Sequence, residues 1–65
     1  MRYFDYEKVA HEAHIPPDKL TTLCQIVRKE FPRDDMLYEL HVLRACMAIK
    51  AGVLTIADAV QAEGN

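Results

Sequence analysis

The chain has 65 residues, 51% of them hydrophobic and 28% charged, with a net charge of −2 and a pI near 5.8. That length allows one domain, spanning 1–65, with a small interior, and the acid-leaning balance excludes a whole-protein field that would draw it onto nucleic acid or an anionic membrane. The opening MRYFDYEK is charged from the start and no run approaches the roughly 18 apolar residues of a membrane span, so a cytoplasmic protein is expected.

The first helix is expected over about 5–14. Asp5 is placed to cap it, and Tyr6, Val9, Ala10 and Ala13 recur at the spacing of one inward stripe. Pro16 and Pro17 force a break, since the residue before a proline is pushed out of the helical region, and Pro17 then suits the first position of the next helix. That second helix, about 17–31, is strongly amphipathic: Leu20, Leu23, Cys24, Val27 and Phe31 form one stripe, with Ile26 on its flank. Pro32 ends it, and Asp34 and Asp35 open a third helix with an acidic first turn.

The third helix, about 34–51, contains no proline or glycine and is apolar on two sides. At about 100° per residue, Met36, Leu37, Leu40, Leu43 and Met47 share one side, while Tyr38, Val42, Ala45, Cys46 and Ile49 share the other. Glu39 and Lys50 mark one seam between them, and His41 and Arg44 the other. Gly52 is placed to close this helix, and Thr55 with Asp58 has the spacing of a reciprocal cap for a short fourth helix over about 55–62 with Ile56, Ala59 and Val60 inward, beyond which Glu63, Gly64 and Asn65 should fray. The fold class read from these signals is all-α, a bundle of four helices around the central third one.

Three patterns invite a functional reading. The spacing of Ala10, Ile15, Leu20 and Leu23 resembles the apolar framework of a helix-turn-helix, although His14 stands at the turn position usually given to glycine and two prolines open the second helix. In that alternative Thr21, Thr22, Gln25, Arg28 and Lys29 face DNA, offering hydroxyl, amide and cationic groups for phosphates and base edges. Glu7, His11 and His14 fall at i, i+4 and i+7, which on a continuous helix gathers two imidazoles and a carboxylate on one face, the donor types of a divalent metal site. Cys24 and Cys46 each lie within apolar helical pattern, where free buried thiols are expected and nucleophilic activation is not.

The reading favoured over these is interaction. Below about 70 to 80 residues a single core rarely contributes more than roughly 3 to 5 kcal/mol, so self-association or binding to another protein is a natural supplement. With helix 2 covering the Met36 side of helix 3, the two short helices are left to cover the other. Tyr38, Val42, Ala45, Cys46 and Ile49 are then the expected interface. No cofactor, small-molecule substrate or catalytic role is expected, because no nucleophile, acid–base or phosphate-binding motif is present and so short a chain has little room for a pocket.

Overall fold

The helices begin where the sequence supplies an acceptor for their unpaired first amides. The computed structural model describes residues 3–64, with side chains through Gln61. Among the described residues it is all-α, with four helices: α1 (Tyr6–Glu12), α2 (Pro17–Glu30), α3 (Asp35–Lys50) and α4 (Ile56–Gly64). Asp5 accepts the Lys8 amide at 3.2 Å and Asp34 accepts the Leu37 amide at 3.0 Å. Thr55 and Asp58 exchange bonds: the Asp58 amide donates to Thr55 Oγ1 at 3.1 Å and the Thr55 amide to Asp58 Oδ2 at 3.2 Å. Aspartate therefore fills the reciprocal role that glutamate usually takes. Only α2 starts without a side-chain cap; extended Pro16 delivers Pro17 into the first turn instead.

Two helices end in the same six-residue closure. After α3, Gly52 takes φ 78°, its amide donates to the Ile49 carbonyl at 3.0 Å and the Val53 amide to that of Ala48 at 2.9 Å. After α1, His14 takes φ 60°, and the amides of His14 and Ile15 donate to the carbonyls of His11 and Ala10, both at 3.0 Å. Both have the bonding pattern of the Schellman motif, in which a left-handed residue just past the helix frees the chain to turn. This corrects the first helix, expected to run to residue 14: it stops at Glu12 because His14 itself is the left-handed residue. The other correction is at the C-terminus. The backbone of α4 stays helical through Gly64 where fraying was expected of Glu63 and Gly64, since no breaker precedes that glycine; Asn65 lies outside the described residues.

The core draws on every helix. Ala10 of α1, Ile15 of the following turn, Leu23 and Val27 of α2, Val42 and Cys46 of α3 and Ala59 of α4 are buried together. The expected inward stripes hold: Tyr6, Val9 and Ala13 pack against this cluster from α1, Leu20, Cys24 and Phe31 from α2, and Ile56 and Val60 from α4. Ile26, on the flank of α2, is only partly buried and stands outside it. α3 lies against α1 and α2, and α2 lies also against α4.

Candidate interaction surface

Helix α3 buries the side that was expected to need a partner. Val42 and Cys46 are 0% exposed, and Tyr38, Ala45 and Ile49 pack around them against the common core. Within the monomer α1 and α2 pack on this face, covering Val42 and Cys46 completely and Tyr38, Ala45 and Ile49 in part. The opposite side, expected to lie beneath helix 2, faces outward: Met36 is 49% and Met47 53% exposed, and Leu37, Leu40 and Leu43 are partly buried and stand outside the core cluster. Size favours this side, because helices approach more closely across Val, Ala and Cys than across Met and Leu.

Met36, Leu40, Leu43 and Met47 are spaced 4, 3 and 4 residues apart, the interval of a coiled-coil seam, and fall within about 60° of arc on the helix surface. Methionine at both ends gives the stripe adaptable, polarizable tips of the kind found at protein-binding surfaces. Arg44 and Lys50, both exposed, flank it. The sequence held this signal in its spacing, which the reading assigned to an internal contact.

Along one margin of the stripe, on the expected seam, lies Glu39, which is only 6% exposed. Its Oε1 accepts the backbone amides of Tyr3 at 2.7 Å and Phe4 at 2.9 Å. A carboxylate satisfied by two amide donors tolerates burial, and it ties the N-terminal segment to the edge of α3. Nothing local in the sequence pointed to this, since the donors come from residues more than thirty positions earlier.

The other candidate sites are differently disposed. On α2, the Thr21 hydroxyl donates to the Pro17 carbonyl at 3.0 Å and the Thr22 hydroxyl to that of Asp18 at 3.1 Å. Arg28 donates to Asp35 Oδ1 at 2.8 Å and to the Phe31 carbonyl at 3.3 Å, and its guanidinium lies 3.8 Å from the Tyr38 ring centroid. Three of the five groups assigned to DNA contact in the alternative reading thus bond within the chain; Thr21, Thr22, Gln25 and Lys29 are exposed and Arg28 partly so. α2 is also held by α3 and α4 more than by α1, unlike the paired helices of a helix-turn-helix.

Glu7 and His11 lie on α1, but His14 leaves the helix at its left-handed turn, so the three do not share a helical face. Among the described residues no group of three His, Cys, Asp or Glu side chains is placed to hold a metal ion. His41, on the far seam of α3, stacks at 4.5 Å between ring centroids on Phe31, with Nδ1 3.1 Å from the Leu37 carbonyl.

A shallow trough of about 840 Å³ lies between α1 and α2, with Tyr6, Leu20, Cys24, Arg28 and Tyr38 among its lining residues. Tyr6 and Tyr38 meet edge to face at 6.4 Å, and the Tyr38 hydroxyl is held protonated to unusually high pH by burial first, then by hydrogen bonding with Cys24 and Tyr6. Burial likewise pushes the Cys46 thiol up to about 11, with Cys24 adding to the effect, so this sulfur stays a neutral core group at ordinary pH. Neither group is poised as a base or nucleophile. Among the described residues no helix is long and apolar enough to cross a membrane. Comparison with known protein families, with characterised proteins and with solved structures finds no match to this chain.

Proposed function

We propose that the protein is a non-enzymatic interaction module of the cytoplasm that self-associates by pairing the outward stripe of α3, Met36, Leu40, Leu43 and Met47, with the same stripe on a second copy. The observation that carries this reading is the half-exposure of both methionines at the ends of a 4-3-4 apolar row on a helix whose other side is already buried. Large apolar side chains gathered in one row are a costly surface for a monomer and a natural helix-pairing seam.

The strength of association follows from the size of the row. α3 has 16 residues, hence is about 24 Å long at about 1.5 Å per residue, and one such helix pair buries less than the roughly 800 Å² per partner of a standard stable complex. Reversible, micromolar pairing is the consequence. Sedimentation equilibrium from about 1 μM to about 1 mM, bracketing such a dissociation constant, should show the mass rising from one chain to two. Leu43→Glu should hold the chain monomeric with its helical circular dichroism unchanged. Met47→Glu, at a more exposed position, should do the same at smaller risk to the fold. A wild-type chain that stays monomeric to about 1 mM would end this reading.

A further inference from the structure

We infer that the two α3 helices pair antiparallel, about a two-fold axis passing between Leu40 and Leu43, so that Met36 of one copy packs on the partner's Met47 and Leu40 on the partner's Leu43. This rests on the self-association proposed above and specifies its geometry.

Two independent features lead to it. The first is that the stripe reads the same in both directions: Met, Leu, Leu, Met at intervals of 4, 3 and 4. A two-fold interface requires a surface that is complementary to itself, residue i meeting j while j meets i. Antiparallel pairing satisfies this with methionine on methionine and leucine on leucine at equal heights. The second is the charge gradient along α3, which opens on Asp34 and Asp35 and closes with Arg44 and Lys50.

In a parallel pair the acidic ends lie side by side, the basic ends lie side by side, and the two helix dipoles point the same way. Turning one helix over sets the Asp35 end of each beside the Lys50 end of the other, and opposes the dipoles. Lys50 lies about 50° from the centre of the row and Asp35 about 110° from it, so the gain comes from opposing the helix ends and not from a direct Asp35–Lys50 contact. Asp35 now pairs with Arg28 and Lys50 with Glu12, each at 2.8 Å, but all four side chains are 40% exposed or more. Exposed pairs of this kind hold their partners weakly and exchange them readily.

Cysteine cross-linking separates the orientations. In a Cys24→Ser background, Cys46 remains buried as a neutral thiol, and Met36→Cys and Met47→Cys introduce reactive thiols at half-exposed positions. About an antiparallel two-fold axis, residue 36 and its copy are 11 positions apart along the axis, about 16.5 Å. That is beyond the roughly 7 Å Cα separation a disulfide tolerates, and residue 47 is placed likewise. Oxidation at a concentration where the dimer is populated should therefore leave each single variant uncross-linked and convert the double variant Met36→Cys/Met47→Cys to a covalent dimer. A covalent dimer from Met36→Cys alone, or no cross-link in the double variant while sedimentation still reports two chains, would overturn the antiparallel arrangement and leave self-association standing. Monomer at every concentration would remove both.

Discussion

The two helix closures offer a controlled comparison within one chain, because the same turn is made once with glycine and once with histidine. Gly52 at φ 78° and His14 at φ 60° occupy equivalent positions with equivalent hydrogen bonds. An L residue other than glycine is disfavoured in this region by roughly 1–2 kcal/mol, while glycine gives back part of that advantage through its greater freedom in the unfolded chain. His14 is exposed, so its removal sacrifices little packing. His14→Gly should therefore stabilise the fold by about 0.5–1 kcal/mol after that offset.

The converse change is unusually clean. A Cβ built on Gly52 meets nothing within 4 Å, so Gly52→Ala adds no clash and its cost is the backbone conformation alone, about 1 kcal/mol of destabilisation. For a chain of this size each kcal/mol moves the melting midpoint by roughly 4–8 °C. Thermal unfolding followed by circular dichroism, at one fixed low concentration so that association does not enter, should place Gly52→Ala below the parent and His14→Gly above it. A His14→Gly chain no more stable than the parent would mean that the imidazole contributes as much as its backbone costs. A neutral Gly52→Ala would mean that the turn rearranges, and either result would refute the strain argument.

Two further expectations concern buried groups. Glu39→Ala leaves the Tyr3 and Phe4 amides without their acceptor and should cost about 2–4 kcal/mol in urea unfolding, whereas Glu39→Gln keeps an oxygen in place and should cost less than half as much; an alanine effect below about 1 kcal/mol would show that the N-terminal segment is not held there. Alkaline titration reads Cys46: its folded pKa of about 11 lies above the ordinary thiol value of 9.0, so above pH 9 the unfolded chain releases a proton that the folded chain retains. Stability is then fully present below pH 9 and falls by up to about 1.4 kcal/mol per pH unit toward 11, with Tyr38 adding in the same direction above its ordinary range; Cys46→Ala should flatten the first part of that slope, and an unchanged slope would contradict the assignment.

What the sequence made legible was most of what neighbours along the chain govern. Asp5, Asp34 and the Thr55–Asp58 pair cap the helices they precede, Pro17 and Pro32 bracket α2, and the inward stripes of α1, α2 and α4 follow from period alone. The buried state of Glu39 was not legible, because its satisfaction depends on amides brought in from the opposite end of the fold. The metal pattern failed for a related reason. Spacing i, i+4, i+7 presumes an unbroken helix, and His14 lies beyond the break that the prolines impose.

The inversion of α3 is the most instructive failure, since both of its faces are apolar and hydrophobicity alone does not choose between them. The charges do. With the core centred between Val42 and Cys46, Arg44 projects about 180° away, squarely into solvent, while Lys50 and Glu39 lie about 60° and 40° from its centre. Were Leu40 and Leu43 turned inward instead, Lys50 and Glu39 would still lie at the margin, about 50° and 70° away, and Arg44 would come within about 70° of the core's centre. Arg44 would then join them at the margin of a bundle too small to cover it. Desolvating even one unpaired cation there outweighs the advantage of hiding two half-exposed methionines. The arrangement that spares Arg44 leaves the Met36–Met47 row facing outward, and it places Arg44 and Lys50 where they rim that row. Arg44, which decides the face that becomes core, therefore also borders the proposed interface.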